Sequence, residues 1–282
     1  MTSSERRPPD VGLAPGPAAA SLYLELLKGA LTRLWFDDGH IARADEPAGR
    51  SRRFGRASGP VYSARSGYDR EQREVGLDWP ASAETMIGIK RLNALQACVE
   101  TVLADDVPGD LVETGVWRGG ASILMKGVLA AYGDESRQVW CCDSFQGLPP
   151  PDPERYPADA GDTHHGASAA LAVTREQVSN NFARYQLLDD RVRFLEGWFK
   201  DTLPEAPIDR VAVLRLDGDM YESTIQALDA LYDRLSPGGF VVVDDYALAG
   251  CREAITDFRA AHGIDDEIVE DDWTGVHWRR SG

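Results

Sequence analysis

From residue 111 to residue 261 the sequence alternates short apolar or β-branched runs with longer amphipathic stretches, and that rhythm leaves few folds open. Strands are expected at Leu111–Val116, Gln138–Asp143, Val192–Glu196, Val211–Leu216 and Phe240–Asp244. Helices are expected between and after them, at Ala121–Tyr132, Thr174–Tyr185, Tyr221–Leu235 and Ala249–Ala261. Parallel neighbours need crossover connections, so the pattern predicts an α/β protein with a parallel sheet and helices on both faces. The ending breaks the rhythm: Asp266–Glu270 and Gly275–Arg279 flank Asp-Asp-Trp-Thr with no room for a helix. That pair must be an antiparallel hairpin, closing a set of five parallel strands. No internal repeat with a period of 20–50 residues is visible.

Ahead of this region the chain reads differently. Residues 1–20 mix Pro, Gly, Ala and Ser with too little apolar surface to offset ordering entropy, and are expected to form a disordered arm. Leu22, Leu24, Leu26, Leu27, Leu31 and Leu34 fall mostly on one stripe of a helix from Ser21, a candidate cap, to about Phe36. Residues 37–79 read as an irregular functional loop or mobile segment. A second helix is expected from Ser82 to about Leu103, with Ile87, Leu92, Leu95 and Val99 on its buried side. Three segments result: the arm, an N-terminal helix and acceptor or oligomer segment at 21–80, and the main domain at 81–282. An apolar helix exposed ahead of a long irregular stretch invites exchange between subunits, so a homo-oligomer is expected.

Charge narrows the partners. Lys+Arg 30 against Asp+Glu 46 leaves −16, a surface that repels phosphate backbones and anionic lipid headgroups. Neither nucleic acid nor membrane is expected as a partner. No apolar run approaches the roughly 18 residues needed to span a bilayer, and the N-terminus lacks the apolar core of a secretory signal. The four cysteines include Cys141 and Cys142, adjacent in one expected strand and pointing to opposite faces, a reduced and cytoplasmic pattern.

The candidate chemistry sits at the strand ends. The first strand runs into Glu113-Thr114-Gly115-Val116-Trp117-Arg118-Gly119-Gly120 and opens a helix. Such a turn lets backbone approach a ligand beside free helix N–H groups, although an ordinary strand-to-helix turn would read the same. Its G-x-x-x-G-G spacing is not the dinucleotide G-x-G-x-x-G. Asp143 closes the second strand, where an acidic side chain either accepts ribose hydroxyls or caps the next turn. Asp217 follows the fourth strand, and Asp244 and Asp245 the fifth. If those strands are parallel neighbours the three carboxylates converge into an all-oxygen site, which suits Mg²⁺ better than zinc. His164 and His165 lie in a Pro/Asp/Gly-rich stretch at 146–170 that reads as a lid. His277 reads as a sheet residue and the cysteines as core. Trp198 and Phe199 are core by default, though a planar ring would stack there.

The segments DWPASAETMIGIKRL, LVETGVWRGGASILMKGVL, CDSFQGLPPPDPERYPADAG, LRLDGDMYEST and VVVDDY together resemble the macrocin O-methyltransferase family, in order, over about residues 21–280. The resemblance implies a class I methyltransferase sheet, Rossmann-like, whose fourth strand neighbours the first and fifth. It implies an S-adenosylmethionine- and Mg²⁺-dependent enzyme that methylates a deoxysugar hydroxyl on a glycosylated small molecule in antibiotic biosynthesis. Carried onto this sequence, it places Thr85 and Met86 near the methionine tail and Glu113, Gly115 and Arg118 around the first loop. Asp143 and Ser144 fall at the ribose, and Gly197 and Trp198 toward adenine. Asp217, also counted with the cofactor site, is joined by Asp244 and Asp245 as metal ligands, and Asp219 is the general base. Residues 35–40 are expected to line the acceptor pocket. A catechol-type O-methyltransferase would use the same metal and cofactor. An NAD-dependent sugar oxidoreductase and a non-catalytic carbohydrate-binding protein are the competing classes.

Overall fold

The first helix, α1 at Pro17–Leu31, starts four residues earlier than the leucine stripe suggests. Pro17 occupies its first turn behind Gly16, where a missing N–H costs nothing and φ is already helical, and three alanines extend it. Residues 17–20 of the expected arm are therefore helix, and Ser21 is not its cap. The computed structural model describes residues 16–36, 38–43, 62–65 and 67–282; the rest of the arm, residues 1–15, lies outside them. The stretch read as irregular holds an antiparallel pair, β1 at His40–Arg43 and β2 at Tyr62–Arg65, and α2 at Arg70–Val75. Asp69 caps α2 by accepting the N–H groups of Glu71 and Gln72. Buried Arg73 ties this segment to the body. Its Nε donates to Asp78 Oδ2 at 2.7 Å and its Nη1 to the Thr32 carbonyl at 3.1 Å.

α3 spans Ile89–Ala104, not Ser82 onward. Residues 82–88 are held out of the helix by partners elsewhere. The N–H groups of Glu84 and Thr85 donate to the Leu31 carbonyl, and Gly120 N–H donates to the Glu84 carbonyl. Their apolar spacing fits a helix, but tertiary hydrogen bonds decide the backbone.

The main sheet then forms as the alternation requires. β3 (Asp110–Thr114), α4 (Gly120–Ala131) and β4 (Val139–Asp143) come first, followed by α5 (Ser168–Leu171), α6 (Arg175–Arg184), β5 (Val192–Glu196) and α7 (Phe199–Thr202). β6 (Val211–Leu216), α8 (Tyr221–Leu231), β7 (Leu235–Val243) and α9 (Ala249–His262) complete the parallel set. The terminal hairpin is β8 (Val269–Glu270) and β9 (Val276–Arg279). Strand order is β5-β4-β3-β6-β7-β9-β8, with the first five parallel and β9 inserted antiparallel beside β7. This is the order the resemblance implies.

Two apolar layers cover the sheet. Leu24, Leu27 and Leu31 of α1 join α3, α4 and α6 on one face. On the other face, α8 and α9 pack Leu228, Leu231, Ile255 and Phe258 against it. Cys141 belongs to the first layer and Cys142 to the second, and all four cysteines are free. Among the described residues no helix is long and apolar enough to cross a membrane.

Candidate active site

The carboxyl ends of β3, β4, β5, β6 and β7 open into one cavity of ≈ 1000 Å³. After β3 the chain turns at Gly115, whose φ is 89°; a Cβ there would overlap the Asp217 carbonyl. The loops after β3 and β6 therefore touch backbone to backbone, with the α4 N-terminus just beyond. Trp117, Phe145 and Asp219, each on a loop at these strand ends, also adopt left-handed φ values of 46°, 55° and 59°. Strained backbone held by its surroundings is a mark of a built site.

Thr85, Met86, Glu113, Gly115, Asp143, Ser144, Gly197, Trp198 and Asp217 all line this cavity. Arg118 does not. It lies over the Trp117 ring, 4.1 Å from the centroid, donates to the Ala83 carbonyl at 2.8 Å, and lines a smaller cleft against α6. Of residues 35–40, none of those described lines the cavity, and Trp35 and Phe36 face outward. Gly76, Leu77, Asp78, Trp79 and Trp273 form the wall there. Asp143 spans two loops: its Oδ2 accepts the Val116 N–H at 2.6 Å and its Oδ1 the Phe145 N–H at 2.7 Å. Burial raises its pKa against those hydrogen bonds. Ser144 likewise shapes its turn, donating to the Gly147 carbonyl and accepting from the Gln146 N–H.

Beside this lobe lies the acidic cluster. Asp217, Asp244 and Asp245 bring one carboxylate oxygen each within 4.8 Å of one another. The Asp219 N–H donates to Asp245 Oδ2 at 3.1 Å, which fixes Asp219 against the group. Burial, then the negative charge of Asp217, pushes the Asp219 carboxyl up to about 7. Burial and the same crowding raise Asp217 and push Asp245 well above the usual carboxylate range. A cluster that resists ionising in its own company is short of positive charge, and its donors are all oxygen, so the residues fit a hard divalent cation. Asp217 Oδ1 and Asp245 Oδ1 accept no hydrogen bond from the described residues and remain open to it.

Two arginines supply part of that charge, and neither was anticipated. Arg215 Nη1 donates to Glu113 Oε1 at 2.5 Å and Asp217 Oδ2 at 2.7 Å, and its Nη2 to Asp244 Oδ1 at 2.5 Å. Arg91 Nη1 donates to Asp244 Oδ2. The available signal was an arginine inside the apolar run VAVLRL, since a charge placed there must find carboxylates. Glu113 is thus a buried partner of Arg215 and of the Ser122 hydroxyl, and burial raises its pKa to about 7.

The 146–170 stretch covers the cavity with Pro149–Glu154 and His164. Asp162 Oδ2 holds His164 Nδ1 at 2.7 Å, and Asp159 anchors the stretch to α8. His165 is exposed with Nδ1 at 2.9 Å from the Leu148 carbonyl, and His277 pairs with Asp271 in β9.

Sheet order, glycine turn and acidic strand ends together define a class I methyltransferase framework. The family model for macrocin O-methyltransferases, TylF, matches residues 20–280, and the chain belongs to that family. It is an O-methyltransferase. It is 53% identical over 263 residues to the 8-demethyl-8-(2,3-dimethoxy-alpha-L-rhamnosyl)-tetracenomycin-C 4'-O-methyltransferase of Streptomyces olivaceus, covering 93% of this chain and 94% of that one. It is 49% identical to the mycinamicin III 3''-O-methyltransferase of Micromonospora griseorubida, covering 92% and 96%. The solved structure of the O-methyltransferase NovP superposes with a TM-score of 0.83 at 47% identity, over 93% of this chain and all of that one.

Proposed function

We propose that the protein transfers the methyl group of S-adenosylmethionine to a deoxysugar hydroxyl on a glycosylated natural product. Mg²⁺ would be held by Asp217, Asp244 and Asp245, and Asp219 would act as general base. The observation that carries this reading is that Asp219 and three aspartates with oxygens within 4.8 Å share one cavity with the Gly115 turn. Support for a sugar acceptor comes from the relatives, one of which names a rhamnosyl group in its substrate.

S-adenosylmethionine supplies an electrophilic methyl carbon. Thr85 and Met86 would meet its methionine end, Asp143 and Ser144 its ribose, and Gly197 and Trp198 its adenine. A divalent cation held by oxygen ligands supplies positive charge that stabilises negative charge developing on the acceptor oxygen. Asp219 takes the hydroxyl proton on its carboxylate. Burial and the charge of Asp217 push the Asp219 carboxyl up to about 7 without a cation, and a bound cation would bring it back toward the ordinary aspartate range. Against a hydroxyl as weakly acidic as water at about 15.7, even the cation-free carboxyl at about 7 leaves a gap of about 9 units, or ~12 kcal/mol. Asp219 cannot hold a free alkoxide across that gap, so it takes the proton as the new C–O bond forms and the methyl–sulfur bond breaks, with the thioether S-adenosylhomocysteine as leaving group. Pro149–Glu154 and His164 line the cavity beside the acidic cluster and would limit water there once both substrates fill it.

The test is methyl transfer from labelled S-adenosylmethionine to a panel of glycosides and phenols, with Mg²⁺ or with EDTA. Glycoside methylation that is lost in EDTA and in Asp217→Asn is expected. Full activity in EDTA overturns the metal assignment, and transfer only to phenols overturns the acceptor class.

A further inference from the structure

Arg91 reaches the acidic cluster through a passage that only glycine leaves open. A Cβ on Gly275 would lie 2.7 Å from Arg91 Cδ. Arg91 is 7% exposed, and each of its guanidinium nitrogens has a partner. Nη1 donates to Asp244 Oδ2, Nε to Asp272 Oδ2 at 2.9 Å, and Nη2 to the Gly76 carbonyl at 3.4 Å. Asp244 Oδ1 is already taken by Arg215, so both oxygens of this one carboxylate carry a guanidinium N–H.

The two arginines differ in what else they hold. Arg215 is locked among Glu113, Asp217 and Asp244, all at the cluster. Arg91 has a carboxylate partner that does not line the cavity, Asp272, in the turn between β8 and β9. That partner is rigid, because its Oδ1 accepts the N–H groups of Thr274 at 2.9 Å and Gly275 at 2.8 Å. A cation using Asp244 must therefore share an oxygen with an arginine, Oδ1 with Arg215 or Oδ2 with Arg91, or displace one of them, and like charges at that range repel.

We propose that Arg91 is a positioning residue that sets the divalent-cation affinity of the Asp217–Asp244–Asp245 site by competing for Asp244, with Asp272 as the group that draws it away. The inference rests on the metal reading above. It predicts opposite signs for two substitutions at one ion pair, which a purely structural role does not. Arg91→Met removes the competitor, so Mg²⁺ binds about tenfold more tightly. Asp272→Asn keeps Oδ1 for the turn but gives up the anion that shares Arg91, so Mg²⁺ binds about threefold more weakly.

Titration calorimetry with Mg²⁺ alone, together with the Mg²⁺-dependent rise in Tm, reads both changes without any turnover. Unchanged or weaker Mg²⁺ binding by Arg91→Met, or shifts of the same sign in both variants, overturns the inference while leaving the metal reading intact. If Arg91→Met does not fold, Asp272→Asn decides alone: equal or tighter binding overturns the proposal. No Mg²⁺ binding by the wild type and both variants overturns the metal reading and this inference with it.

Discussion

Asp159 Oδ1 accepts the Tyr221 N–H at 2.7 Å, and its Oδ2 accepts the Glu222 N–H at 2.9 Å. A residue of the segment that covers the cavity thus caps the helix that follows Asp219. Removing it leaves two helix N-terminal donors without their acceptor and frees the cover. Asp159→Ala is expected to cost about 1 kcal/mol of stability, as loss of an N-cap does. It should also raise the acceptor KM several-fold. Thermal unfolding and steady-state kinetics check both, and faster proteolytic cutting within residues 146–170 marks the loosened cover.

Arg215 is the positive charge on which three carboxylates depend. Arg215→Met leaves Glu113, Asp217 and Asp244 in the same buried space without it, a loss of about 3–5 kcal/mol at pH 8. The deficit should shrink toward pH 6, because crowded carboxyls regain protons as pH falls. A Tm difference from wild type that is the same at both pH values argues that the arginine only fills space.

The wild-type pH dependence follows from the same crowding. Glu113 and Asp219 both titrate near 7 in the folded protein and near 4 when unfolded. A folded pKa above the unfolded one gives stability that is complete below pH 4 and lost as pH rises through 7. In EDTA, Tm should therefore fall from pH 5 to pH 8, and Mg²⁺ should flatten that slope by neutralising the cluster. Asp219→Asn should lose turnover by about 10²–10⁴-fold while raising Tm at pH 8 in EDTA, since it removes a buried like charge. Retained turnover removes Asp219 from the base role.

How far the sequence could be read depended on whether the deciding contacts were local. Val192–Glu196 and Val211–Leu216 match their expected ends because β-branched runs bounded by turn residues mark strands without outside help. The meeting of Asp217 with Asp244 and Asp245 was legible for a related reason: parallel neighbours put their carboxyl ends on one edge. The Ser82 helix start failed because the Leu31 carbonyl, half a hundred residues upstream, claims the Glu84 N–H. Arg91 and Asp244 are separated by 153 positions, and no pattern within either segment names the other. The β1–β2 pair was missed because four-residue strands in a polar stretch carry no alternation long enough to count.

Trp273 gives the acceptor end its own test. The residue is 55% exposed and lines the cavity wall, which leaves an aromatic face available to a ligand there. The ring cannot swing freely, because Nε1 donates to the Val75 carbonyl at 3.0 Å and the Arg91 guanidinium lies 5.7 Å from a ring centroid. Arg91 in turn touches Asp244, so the ring stands one side chain away from the acidic cluster, where an acceptor glycoside would lie. A fixed aromatic face stacked on a sugar ring or flat aglycone contributes about 0.5–1.5 kcal/mol, which is roughly two- to tenfold in affinity. Trp273→Ala should therefore raise the glycoside KM by about that factor, with S-adenosylhomocysteine affinity unchanged, because the proposed cofactor site is at Gly115, Asp143 and Gly197. Equal losses for cofactor and acceptor would show that the ring supports the cavity as a whole.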